Sequence, residues 1–212
     1  CSFSLVMRII LAGSLIIFST LSFSQNIFDA GLIGGITTSQ IHGDAIGGFN
    51  KIGFNFGAFV AADLANNFST EFDIYVINKG SRKNPSKWDP SYWSIRLNYI
   101  EIPILIRYKY KKITAELGLS YGRLINQKFL ANGLEYTPDS VRYFNKNEYS
   151  SIAGIQYHMK SNLSLNLRYS QSMWKVRSFT FTYPRYYIFA WQAGSANAVI
   201  SLSLKYQFGK KT

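Results

Sequence analysis

The chain has 212 residues, a formal charge of +12, 16% charged residues and 17% aromatic ones. That length suits one domain with a substantial core, and the aromatic content excludes a disordered chain. The positive charge alone would admit a nucleic-acid binder, but charges this sparse also fit basic loops facing an anionic surface.

The first predicted element is a leader. Met7-Arg8 supplies a positive start, Ile9 to Phe18 a short apolar run, and Ser22-Phe23-Ser24 the small residues before Gln25. This is the pattern of a secretory signal peptide over residues 1–24, with the start expected at Met7 and cleavage after Ser24. The run is too short and wrongly flanked for a membrane helix. The single cysteine, Cys1, precedes the cleavage point. The exported part, residues 25–212, is therefore expected to hold no disulfide, thiolate metal site, cysteine nucleophile or lipid-anchoring cysteine. No later apolar run is long enough for a helical span. An exported, aromatic-rich chain of this kind is a soluble periplasmic β-protein or a β-barrel in an outer membrane.

The remaining elements alternate with period two, as strands do and helices do not. Residues 30–40 are Gly- and Thr-rich and form a weaker first strand. In residues 51–63, Ile52, Phe54, Phe56, Ala58 and Val60 oppose Lys51, Gly53, Asn55, Gly57 and Asp63. In 68–79, Phe68, Phe72, Ile74 and Val76 oppose Glu71, Asp73 and Tyr75. The stretch NYIEIPILIRY, residues 98–108, puts Ile100, Ile102, Ile104, Ile106 and Tyr108 on one face. Tyr99, Glu101, Pro103, Leu105 and Arg107 take the other. In 113–123, Ile113, Ala115, Leu117, Leu119 and Tyr121 oppose Thr114, Glu116, Gly118, Ser120 and Gly122. Residues 149–159 set Ser151, Ala153, Ile155 and Tyr157 against Ile152, Gly154, Gln156 and His158. Residues 163–170 separate four apolar residues from Ser164, Asn166, Arg168 and Ser170. The last strand, 198–208, opposes its apolar row to Ser201, Ser203, Lys205 and Gln207.

The spacers alternate in length. Residues 41–50, 80–93, 125–148 and 174–197 are long, whereas 64–67, 109–112 and 160–162 are short. Every long loop thus falls on one side and both termini on the other. Even strand number, short turns on one side and long loops on the other are the marks of an outer-membrane barrel. The predicted fold is an all-β, eight-stranded, antiparallel up-and-down transmembrane β-barrel, with periplasmic termini and extracellular long loops. A closed sheet leaves no unpaired edge in lipid.

Eight strands leave an interior that side chains fill. The polar row is expected to occupy it as a network of Glu71, Asp73, Glu101, Arg107, Glu116, His158, Arg168 and Lys205, acids pairing with bases because buried charges need partners. His158 is expected to hydrogen-bond Glu101 or Glu116. Pro103 removes a ladder donor, and a bulge is expected to accommodate it. Tyr108, Tyr110, Tyr121, Tyr169, Tyr206 and Phe208 lie near strand ends, as the aromatic girdles of a barrel do. Residues 202–208 resemble the C-terminal strand signal read by barrel-insertion machinery, a partner expected during assembly.

The signal peptide ending in Ser-Gln, IGGITT at residues 33–38, the 98–108 stretch with its Tyr-Ile-Glu-Ile-Pro core and the final strand together resemble the PorT-type outer-membrane β-barrel proteins of Bacteroidetes. The resemblance covers essentially the whole exported chain. It implies an eight-stranded barrel, and some members of that family belong to the type IX secretion apparatus. It transfers no functional residues, because the shared motifs are architectural.

Chemistry is sparse. His42 lies near Ser39 and Asp44, a spacing too weak to define a triad, since nucleophile and base must meet in space. No metal-ligand spacing appears. GLIGG and IGGF lack the Lys-Ser/Thr of a phosphate loop. No catalytic, cofactor or metal residue is therefore assigned. The long loops interleave bases with aromatics, and Trp174, Arg177, Tyr183, Arg185, Tyr186, Tyr187 and Trp191 form a candidate partner-binding loop. The expected partners are outer-membrane lipid, the phosphates of lipopolysaccharide and an envelope protein, not nucleic acid. The expectation is a non-enzymatic barrel in a structural, adhesive or assembly-partner role. A subunit of type IX secretion and a surface enzyme acting on lipid or peptide are the alternatives.

Overall fold

The computed structural model describes residues 28–44, 46–137, 144–160, 162–177 and 195–208. The leader, its cleavage point and the tail 209–212 lie outside them. Nine strands follow in chain order: β1 (Phe28–His42), β2 (Lys51–Ala65), β3 (Phe68–Lys83), β4 (Trp93–Tyr110), β5 (Ile113–Ala131), β6 (Leu134–Tyr136), β7 (Asn147–His158), β8 (Leu163–Ser172) and β9 (Ala196–Gln207). All pairings are antiparallel, β5 pairs onward with β7, and β9 returns to β1. The sheet is thus a closed eight-stranded cylinder, with β6 a short hairpin extension of β5 outside the ring. No described residue is helical.

Closure needs β1 and β9 to approach closely. A side chain at Gly35 would place its Cβ 2.2 Å from the Leu202 carbonyl oxygen, so this seam admits only glycine there. The turns 66–67 and 111–112 are tight, with left-handed backbone at Asn66 and Lys111.

The outward row is apolar and exposed, with Ile106 at 62% and Leu117 at 66%. On β4 it runs unbroken from Tyr110 to Ile100 and then changes to Asn98 and Arg96. The ten steps from Tyr110 to Ile100, at ~3.4 Å each and tilted by about 40°, cover about 26 Å, the height of a bilayer's apolar band. Phe68 packs on Tyr108 at 4.9 Å near the short turns, and Tyr121 lies 5.4 Å from Tyr149 toward the other end.

Two expectations about elements are corrected. Residues 80–93 and 125–148 are not simply loops. β3 runs to Lys83, β4 starts at Trp93, β5 reaches Ala131, and these strands rise beyond the apolar band. A bulge makes this possible: Asn98 opposes Asn126 while Tyr99 opposes Leu124, so Ile125 is the extra residue and the inward face changes parity from Leu124 to Phe129. Pro103, in contrast, sits at no bulge. It keeps register with Ser120, while the β3–β4 ladder opens between the pairs Phe72–Ile104 and Tyr75–Glu101 and resumes in the same alignment. The missing donor is met by leaving out rungs.

Candidate functional site

The inward rows of the strands meet as two ionic layers. The first lies nearer the short turns. Arg168 on β8 crosses the interior and donates from Nη1 to Asp73 at 2.5 Å, from Nη2 to Glu71 at 2.7 Å and from Nε to Glu116 at 2.8 Å. Arg107 on β4 donates to Glu71 at 2.6 Å, and Lys205 on β9 reaches both oxygens of Glu71. Asn166 adds a donor to Glu116 at 2.9 Å, and Gln156 accepts from Arg107. Three carboxylates face three cations, and five strands of the ring are tied through them. Every one of these six side chains is buried.

The second layer lies toward the long loops and includes residues that period two alone did not single out. Lys79 contacts Glu101 and lies 2.9 Å from Glu148. Glu148 also accepts from Ser150 at 3.0 Å, Ser172 at 2.7 Å and Asn197 at 2.8 Å. Lys79 shares the inward row of Glu71, Asp73 and Tyr75, which was its available signal. Toward the long loops Ile41, Leu97, Phe129, Phe144 and Val176 belong to a buried apolar cluster that continues down through Ile77 and Tyr75 to Ile33.

The expected network is therefore divided. Glu71, Asp73, Arg107, Glu116, Arg168 and Lys205 come together, and Glu101 belongs to the layer above. His158 is a correction: its ring meets Thr114 at 2.9 Å and Ser164 at 3.0 Å. Its rung pairs with Ser164, at the short-turn mouth, whereas Glu116 pairs with Gly154 further inside. It lines a cavity of about 610 Å³ that opens at that mouth and ends against Arg107 and Lys205.

In the candidate partner-binding loop, Arg177 stacks on Phe144 at 4.9 Å, and Trp174 is exposed beside Tyr149. Tyr183, Arg185, Tyr186, Tyr187 and Trp191 lie outside the described residues. Ser39 and His42 fall on opposite faces of β1: Ser39 is buried and donates to the Gly80 carbonyl at 3.1 Å, while Asp44 accepts from the Ile46 amide at 2.8 Å. Among the described residues no group of three or more His, Cys, Asp or Glu is arranged to hold a metal. Chemically, the interior is a set of paired charges that locks strands together and occupies the bore.

Residues 18–176 match the family described as outer membrane protein beta-barrel domain. No curated protein matches the chain. Among solved structures it is similar to Neisserial surface protein A, at 12% identity over 85% of this chain and 97% of that one, with a TM-score of 0.50. It is also similar to Ail, the attachment invasion locus protein of Yersinia pestis, at 15% identity over 85% of this chain and 98% of that one, with a TM-score of 0.49. OprG from Pseudomonas aeruginosa is similar at 12% identity over 86% of this chain and 97% of that one, with a TM-score of 0.41. At such identity the likeness to the Neisserial protein speaks for the fold alone.

Proposed function

We propose that this chain, which belongs to the outer membrane protein beta-barrel domain family, is a non-enzymatic outer-membrane barrel that acts through its long-loop end as a structural, adhesive or assembly partner. The observation that carries this reading is the occupied bore. Arg168 is bound to three carboxylates in one layer, Lys79 and Glu148 hold a second, and apolar side chains fill the space above. A barrel closed in this way has its working surface at its ends. Export by the leader would place the termini in the periplasm and the long loops outside, where bases and aromatics meet lipopolysaccharide phosphate or an envelope protein. The test is cross-linking and affinity purification from intact envelopes. A defined envelope protein should co-purify, and deletion of residues 178–191 should release it. Recovery of the barrel alone under both conditions would count against the reading.

A second reading is a PorT-type subunit of type IX secretion, favoured by the Tyr99–Ile100–Glu101–Ile102–Pro103 core. It requires that deletion of the gene impair export of secreted proteins, and unchanged export would remove it. An enzymatic role draws least support, since Ser39 and His42 lie on opposite faces of one strand. Loss of a lipid- or peptide-cleaving activity in His42→Ala would reverse that ranking.

A further inference from the structure

The outward face of the barrel is apolar up to a sharp boundary. On β3 the row Phe72, Ile74, Val76 changes to Asn78 and then Arg82, and on β4 Ile100 is followed by Asn98 and Arg96. On β5 the post-bulge row brings Lys128 directly opposite Arg96. These residues do not stand singly around the rim. They enclose a groove of about 580 Å³ on the outer wall, to which Lys51 at the start of β2 adds a fourth cation. Its lining contains no carboxylate.

Two of the cations have fixed neighbours, and Lys51 Nζ donates to the Ile52 carbonyl at 2.7 Å. The Arg82 guanidinium lies 5.4 Å from the Tyr92 ring, and its Nε is buried without a hydrogen-bond acceptor. Asn78 donates to Asn98 at 2.6 Å and forms the polar floor. Lys128 has one exposed partner, Glu135 at 3.3 Å, outside the groove lining. Ile52 and Phe54, 69% and 56% exposed, form the wall that continues down the apolar band. Four like charges around one hollow repel one another until an anion fills it, and guanidinium forks suit phosphate oxygens. The hollow sits at the headgroup level of the leaflet on the long-loop side. Its lower wall is apolar, so a ligand with both phosphate and acyl chains fits better than free phosphate.

We propose that this groove binds a phosphorylated glycolipid of the outer leaflet, with Arg82 and Arg96 on a phosphate, Lys51 and Lys128 flanking it, and Ile52 and Phe54 against an acyl chain. The assignment rests on the reading that the long loops face outward.

The test uses the full barrel in nanodiscs, with retained lipid measured by native mass spectrometry. The probes are bisphosphorylated lipid A, dephosphorylated lipid A, phosphatidylglycerol and inorganic phosphate. The wild type should retain bisphosphorylated lipid A at least tenfold better than its dephosphorylated form or phosphatidylglycerol. Arg82→Gln/Arg96→Gln should lose that preference while keeping heat-dependent gel migration, and the single variant Arg96→Gln should fall between. Equal retention of lipid A by wild type and the double variant overturns the site. Equal binding of phosphatidylglycerol, or displacement by millimolar inorganic phosphate, overturns the glycolipid assignment. Surface labelling of Trp88→Cys in intact cells separates the two readings: labelling with no lipid preference refutes the groove alone, whereas no labelling refutes the outward orientation of the loops.

Discussion

Arg168→Met removes the one side chain that spans the first ionic layer. The wild-type guanidinium makes three contacts of 2.5 to 2.8 Å to Asp73, Glu71 and Glu116, all buried. The variant leaves three carboxylates facing two cations. Glu71 keeps Arg107 and Lys205, and Glu116 keeps longer contacts to the same two, but the ion pair of Asp73 is the one made by Arg168. The main cost is therefore one stranded carboxylate. Breaking a buried pair from one side costs about 3–5 kcal/mol. The three contacts do not add, because they share one group. Urea titration in lipid vesicles, read by tryptophan fluorescence and heat-dependent gel migration, should show a loss of about 3–5 kcal/mol. Adding Asp73→Asn replaces the stranded charge with a neutral amide and should recover about 1–3 kcal/mol of it. A variant within about 1 kcal/mol of wild type would refute the reasoning, as would an Asp73→Asn effect that simply adds to it.

Gly57→Val would set its Cβ 2.1 Å from the Ile74 carbonyl oxygen and 2.4 Å from the Tyr75 Cβ, so no heat-shifted folded form should appear on gels. Leu117→Arg falls midway along the lipid-facing row of β5 and should destabilise the barrel in vesicles by about 2–4 kcal/mol. Leu134→Arg, on the exposed β6 hairpin, should change the same urea midpoint little. In planar bilayers the wild-type protein should show no steady ion conductance, and a stable open level would contradict a filled bore.

Period two was enough to find the eight ring strands and the faces of most of their residues, because one face meets lipid and the other meets paired charges. It failed where geometry interrupts it. The Ile125 bulge shifts the inward frame on β5, so alternation breaks where the strand continues. The clue left in that stretch was Asn132-Gly133, whose left-handed backbone forms the β5–β6 hairpin. Alternation also reports face but not height. That is why His158 could be placed inside yet given partners four or more rungs too deep. Lys79 and Glu148 meet across 69 residues of chain, a separation that only barrel closure brings together. The groove of Arg82, Arg96 and Lys128 lies on consecutive strands and needed no closure, but it did need the bulge, which sets Lys128 in the outward row opposite Arg96.

The barrel must stay shut between its first and last strands while a bilayer or micelle surrounds it. The direct measurement is cross-strand proton contacts by NMR on the folded protein in detergent micelles, at the β1–β9 seam. Contacts pairing Gly35 with Ser203 and Ile33 with Lys205, and amides there that exchange slowly, are the predicted result. Fast-exchanging β1 amides with no contact to β9 would mean an open sheet and would contradict it.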